Sequence, residues 1–347
     1  MKKPPIFAIL TALSATVPLG CGGSASSDVA FIDDSAQFAV APSPSPAQTT
    51  PATVEATTPA QTTPATVEAT TPAQTTPATL EATTPVQTTP ATVEALLDSG
   101  ATIDKSGKSL DLTGVEKLDG FNVAADAERW NAVKVVRGKG LLTAQTLRDF
   151  AKLPNLTEFL WSGALLSDET DADAAFAEFA KSPKLKKLRL TGLQTESGKF
   201  PTAALTALAQ TPQLADLDVS GSPATAADLT AVDWKNRFAK LAKLNLYQTK
   251  IGDAGVDALL PLTDRLTSLN LDDAQIGPDS AKKIAQFTEL TFLHVGRSTL
   301  DDASIAEFAK LGKLEKIHVT RSKATEAGAD ALRAALPNCE VVSQPEN

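Results

Sequence analysis

The sequence predicts an α/β solenoid, a stack of short parallel strands with a helix between successive strands, preceded by an extended tether. Three observations predict it. A phrase of one apolar residue, two variable residues, an apolar residue, one variable residue and another apolar residue recurs along the chain, as at Leu241/Leu244/Leu246, Leu266/Leu269/Leu271, Leu290/Leu293/Val295 and Leu314/Ile317/Val319. Between phrases the apolar residues move to helical spacing, as at Val256, Leu259 and Leu260. Before about Leu96 apolar periodicity is missing, so the 347-residue chain is read as one repeat array with a long non-globular approach to it.

The first element is an export signal over residues 1–20. Lys2 and Lys3 precede an apolar run from Ile6 to Leu19. That run is shorter than the about 20 apolar residues a spanning helix needs. The stretch Leu19-Gly20-Cys21-Gly22-Gly23-Ser24 resembles a bacterial lipoprotein signal, in which the cysteine is acylated after cleavage. The resemblance implies a lipid anchor on Cys21 and a cell-envelope lipoprotein, periplasmic or surface-facing. It departs from the pattern in having Pro18 three residues before the cysteine, where leucine is usual, so cleavage near Ala25 to Ser27 and a secreted protein are the alternative. The only other cysteine is Cys339, so the fold must stand without disulfides; it falls at an inward position of the last repeat, where a thiol acts as a small apolar side chain.

A polar linker, 21–46, leads to the tether, 47–95. AQTTPATVEATTP fills 47–59 and again 60–72, AQTTPATLEATTP fills 73–85, and VQTTPATVEA opens a further copy at Val86. Proline fixes φ and removes donors, and no apolar run is long enough to offset ordering entropy, so the segment reads as a disordered spacer. Thr and Pro at this density also resemble O-glycosylated stalks. The one Glu per copy leaves a repeated peptide ligand as the other reading. Formal net charge is −9, and residues 22–97 carry Asp28, Asp33, Asp34, Glu55, Glu68, Glu81 and Glu94 with no Lys or Arg. A chain without a basic footprint is a poor fit to a phosphate backbone, so nucleic acid is not an expected partner.

The repeat domain spans 96–343, followed by a short tail, 344–347. Phrases start at Gly107, Trp130, Leu156, Leu185, Leu214, Leu241, Leu266, Leu290, Leu314 and Leu336, about ten units whose period runs from 22 residues (Leu314 to Leu336) to 29 (Leu156 to Leu185). The end units fit worst, as capping repeats do. Helices are expected to start at Gly252, Gly277, Asp301 and Thr325, each an acceptable N-cap, with Asp253, Pro278, Asp302 and Glu326 next. Phrase, period and helix start together resemble leucine-rich repeats of the ribonuclease-inhibitor type, and more closely the bacterial variant whose helices open like Ile251-Gly252-Asp253-Ala254-Gly255. The resemblance implies a parallel sheet on a concave face and helices on a convex one. The asparagine usual at the ninth position is missing. Leu193, Ser222, Thr249, Ala274, Ser298 and Ser322 stand there, so hydroxyls or water must satisfy those turns.

The variable residues of each phrase should line the concave face. On it fall both histidines, His294 and His318, and the only tyrosine, Tyr247. Two imidazoles beside Asp272 are donor types a divalent metal accepts, or a pH-sensitive contact, but no third histidine or cysteine completes a set, and exposed histidines are the plainer reading. No metal or cofactor is therefore expected. Tyr247 and Phe292 suit the aromatic anchors of an interface. The candidate partner-binding residues are Arg189, Lys243, Asn245, Tyr247, Asn270, Asp272, Phe292, His294 and His318. Asp168 to Asp173 reads as an acid-rich helix start rather than a calcium loop, Gly138-Lys139-Gly140 as a turn, and Trp130 and Trp161 as inward phrase residues. No nucleophile, base and orienting acid form a motif, so no enzyme is expected. The reading is a non-enzymatic protein- or peptide-binding module. Its alternative is a structural cell-envelope component with lateral contacts through the tether or convex side, and a third reading is an enzyme using a His294/His318 metal. Fold resemblance does not choose among ligands.

Overall fold

The computed structural model describes residues 92–343 apart from 119, 169 and 170. The export signal, Cys21, the polar linker, the tether as far as residue 91 and the tail lie outside the described residues. The repeat domain begins earlier than the sequence boundary at 96. Helix α1 (Val93–Asp98) starts where the last tether copy runs into Leu96, its Thr92 hydroxyl accepts from the Ala95 N–H, and Val93 and Leu96 are buried. The tether's own valine turns core-forming where Leu-Leu follows it in place of Thr-Thr-Pro.

The first two strands, β1 (Thr102–Ile103) and β2 (Ser109–Asp111), are antiparallel, a hairpin at the end of an otherwise parallel sheet. Asp104 closes it by accepting the Lys108 and Ser109 N–H groups at 2.8 Å each. The main ladder continues through β3 (Val135–Leu142), β4 (Glu158–Leu166) and β5 (Lys187–Thr191), with β6 (Gln194–Thr195) paired to the far end of β4. It goes on through β7 (Asp216–Asp218), β8 (Lys243–Asn245), β9 (Ser268–Asn270), β10 (Phe292–His294), β11 (Lys316–His318) and β12 (Glu340–Val342). Parallel neighbours need a crossover, and helices supply it. These are α2 (Ala127–Ala132), α3 (Ala144–Ala151), α4 (Ala172–Phe179), α5 (Thr202–Leu208), α6 (Ala226–Thr230), α7 (Gly252–Leu259), α8 (Pro278–Ile284), α9 (Asp302–Ala306) and α10 (Glu326–Ala335). The middle apolar residues of the phrase stack in register, Leu188 on Leu217, Leu244, Leu269, Leu293 and Ile317, all fully buried. This repeat phrase, its parallel stacking and the helix that returns each turn define a leucine-rich-repeat solenoid.

Register differs from the sequence reading in two units. In the second, Val136 stacks on Leu110 and Phe159, so the phrase is Val133/Val136/Gly138 rather than Trp130/Val133/Val135. Trp130 lies on α2 and stacks on Phe121 at 4.7 Å. Gly138 takes the last apolar position inside β3, not a turn, and opposes Trp161. In the last unit Val341, not Cys339, stacks on Ile317. Cys339 is half-buried in the bend before β12, and burial pushes its thiol up. Acid-rich α4 starts as expected, with Asp171 at its cap and Arg148 bridging Asp171 at 2.8 Å.

The turns after the strands are closed without asparagine. The Thr249, Ser298 and Ser322 hydroxyls donate to the carbonyls three residues earlier at 2.7, 2.7 and 2.8 Å. Helix starts are tied between units as well. Asp253 accepts the Gly277 N–H at 2.8 Å, and Asp302 accepts the Thr325 N–H at 2.6 Å, so the acids join each helix to the next in addition to favouring its dipole.

Candidate functional site

Strand alternation leaves columns of side chains on the open sheet face. In the earlier half these are cross-strand ion pairs. Lys187 lies 3.8 Å from Asp216, and Arg189 lies 3.3 Å from Asp218. Burial pushes the Asp216 carboxyl up, opposed by the charges of Lys187 and Lys243. Arg189 and Lys243, two of the candidate residues, therefore stand among acids of their own chain.

In the register that also holds Arg137, Leu160 and Arg189, four strands carry a side chain that holds the backbone following it. Asp111, Asp218, Asn245 and Asn270 each offer Oδ1 to the N–H two residues on, that of Thr113 (2.8 Å), Ser220 (2.9 Å), Tyr247 (3.0 Å) and Asp272 (3.0 Å). Asn245 and Asn270 thus hold the backbone that carries Tyr247 and Asp272. The same column continues into His294 and His318.

Around these histidines the later half forms one cluster. Asp272 is 5% exposed at its side chain, and Arg297 meets it with a two-point fork, Nε donating to Oδ1 at 3.1 Å and Nη2 donating to Oδ2. The guanidinium carbon lies 4.9 Å from the centre of the Tyr247 ring. Burial works against the Arg297 charge, but the Asp272 carboxylate more than offsets it and raises the pKa. Burial also pushes the Tyr247 hydroxyl up, with Arg297 opposing. His294 Nε2 stands 3.6 Å from Asp272 Oδ2. The His294 and His318 rings lie 4.6 Å apart, and Phe292 lies 5.8 Å from His318. Gly296 leaves the room for this. A methyl group there would fall 2.8 Å from both Asp272 Oδ1 and Thr320 O.

Six residues are thus brought together, Tyr247, Asp272, Phe292, His294 and His318 from the candidate set and Arg297, which sequence reasoning missed. Arg297 lies past the phrase, at a turn position of left-handed backbone (φ 45). Gly192, Gly221, Gln248, Asp273 and Arg321 share that left-handed conformation in their own units, and the column is the signal that would have found it. Both Asp272 oxygens accept from Arg297, so a cation already sits where a metal would need them. Among the described residues no group of three or more His, Cys, Asp or Glu is arranged to hold a metal, and no helix is long and apolar enough to cross a membrane.

No protein-family model matches the chain, and no curated protein does either. Among solved structures it is similar to internalin C2 from Listeria monocytogenes, at 19% identity over 67% of this chain and 88% of that one, with a TM-score of 0.45. It is also similar to a leucine-rich-repeat protein of Leptospira interrogans, at 18% identity over 67% of this chain and 61% of that one, with a TM-score of 0.40.

Proposed function

We propose that this chain is a non-enzymatic capture module that binds a protein or peptide on the open, concave face of its sheet. The observation that carries the reading is the cluster on β8 to β11. Tyr247 and Phe292 flank a fixed ion pair and two imidazoles there, the mixture of aromatic surface and oriented polar groups on which interface energy concentrates. Arg189, Lys243, Asn245 and Asn270 belong to the same face, the first two beside acids of their own chain and the asparagines as supports. Export, anchoring through Cys21 and a spacer of Thr/Pro repeats complete the proposal, since a tethered capture module would meet partners away from the membrane. Residues such as Asp272 and Arg297 neutralise each other, and nothing in the cluster calls for nucleic acid as partner.

The test is affinity capture from the native cell envelope with the full chain and with the Tyr247→Ala/Phe292→Ala double variant. Capture should weaken by more than about tenfold, the loss of one or two hot-spot side chains, with thermal unfolding nearly unmoved. Equal capture by both proteins removes the cluster from the account. An intact mass showing acyl chains on Cys21, with partition into detergent, supports the anchor, and a water-soluble form starting near Ala25 removes it.

A further inference from the structure

We propose that Arg321 is a docking point for an acidic side chain of the captured polypeptide, which supplies the kind of carboxylate that Arg297 receives from its own chain. The inference rests on the capture reading and names one contact of the partner. It starts from the turn that follows each strand. From β3 to β11 the second residue after the last inward position is left-handed in every unit. From Gly140 through Gly163 and Gly192 to Gly221 it is glycine, and from Gln248 through Asp273 and Arg297 to Arg321 it carries a side chain. Its N–H donates to the repeat that follows, that of Gln248 to Asp272 O at 3.0 Å, of Asp273 to Gly296 O at 3.1 Å and of Arg297 to Thr320 O at 2.9 Å. The side chains at this position thus leave from one repeated backbone. Left-handed backbone costs a residue with a Cβ, and arginine is not among the types that tolerate it best, so an arginine held there calls for a use.

Arg297 shows what that use is. It reaches back one repeat to fork Asp272, and Asp273 adds a second acid on the same side. One repeat on, the residue that stands to Arg321 as Asp272 stands to Arg297 is Gly296, which has no side chain to offer. Nor is there room for one, since a methyl group at Gly296 would fall 2.8 Å from both Asp272 Oδ1 and Thr320 O. Arg321 is exposed and joins no ion pair among the described residues. The other cations at this end of the sheet face acids of their own chain. Lys316 lies 3.2 Å from Glu340, Arg297 shares its charge with Asp272, and Lys323, in the same turn as Arg321, faces Asp301. Arg321 therefore adds a positive charge to the rim of the aromatic cluster that the fold does not use. A guanidinium gains little from a carboxylate in open water, and more where a bound partner covers the pair and fixes both of its ends.

The experiment is calorimetric titration of the full chain with an acetylated oligoglutamate peptide and with its oligoglutamine counterpart, in low salt, where charges are least screened. Oligoglutamate should bind, and oligoglutamine should not. Arg321→Gln should weaken oligoglutamate binding about tenfold, the loss of one charge-assisted contact. Lys323→Gln removes the same charge two residues on and should change binding by less than about twofold, as an ordinary surface cation does. Arg321→Gly gives the turn the residue it has in the earlier units, so it should lose binding as Arg321→Gln does and unfold at no lower a temperature than the parent. Loss of binding is then not loss of fold. No binding of oligoglutamate, equal binding of oligoglutamine, binding unchanged in Arg321→Gln, or an equal loss in Lys323→Gln each overturns the inference. If envelope capture still depends on Tyr247 and Phe292 in that case, the docking point falls and the capture surface stands; if capture is indifferent to them too, both fall.

Discussion

Arg297 reaches back one repeat to fork the Asp272 carboxylate, and in doing so lays its guanidinium against the Tyr247 ring of the repeat before that. Three successive units are tied by one side chain. The fork holds Asp272 beside His294, and the ring contact holds Tyr247, so the cluster is ordered before any partner arrives. A pre-ordered face loses less entropy on binding than one that must assemble.

Replacing Arg297 tests that ordering. Arg297→Ala leaves a buried carboxylate without its fork and should cost about 2 kcal/mol of stability, read from urea unfolding. Arg297→Lys should recover only part of this, since an ammonium cannot present two parallel donors. A neutral Arg297→Ala would mean that Asp272 finds another donor set.

Gly138 and Trp161 give a second prediction. They are opposed on β3 and β4, and a methyl group at Gly138 would fall 2.1 Å from Trp161 Cζ3. The indole, whose Nε1 donates to Gly140 O at 2.9 Å, fills the space a leucine would occupy in other units. Gly138→Ala should therefore destabilise by about 1–3 kcal/mol, as overpacked cores do, and change the near-ultraviolet circular dichroism of the tryptophan.

The same pair explains what could be read in advance. The stack from Leu188 to Ile317 was legible because a buried aliphatic residue recurs there at each turn. The second unit was not, because its last inward position is a glycine whose volume comes from a tryptophan on the next strand. An apolar-phrase search then settles on Trp130, which lies on a helix. Cys339 misled in the same way, as an apolar-like residue two places before the inward Val341. Tyr247, Asp272, Phe292, His294 and His318 were legible as a face because strand alternation is local. Their grouping around Arg297 was not, because it depends on a turn residue and on a glycine, Gly296, that only the stacked repeats make meaningful.

The hydroxyls that stand in for a repeat asparagine should carry measurable stability. Thr249 is fully buried and donates to Leu246 O at 2.7 Å. Thr249→Val keeps the shape and leaves that carbonyl unsatisfied, which should cost about 1–2 kcal/mol in thermal or urea unfolding. No change would mean that water reaches the turn and that the hydroxyl is incidental.

Asp216 should oppose folding near neutral pH even though it stands between lysines. Its side chain is 17% exposed, and burial outweighs Lys187 and Lys243 in pushing its carboxyl above the ordinary value of 3.8. A raised acid binds protons more readily folded than unfolded. Its ionisation therefore lowers stability as pH rises from the unfolded value through the folded one, and the loss is complete above it. Asp216→Asn removes the ionisation and keeps a polar group of the same size. The variant should have a higher unfolding temperature than the parent at pH 7, and the gap should close as pH falls below 3.8, where the carboxyl is protonated in both states. A variant less stable at pH 7 would show instead that the ion pair with Lys187 outweighs burial. The cross-strand pairs of the earlier half of the sheet would then be a source of stability rather than a means of keeping that half of the face neutral.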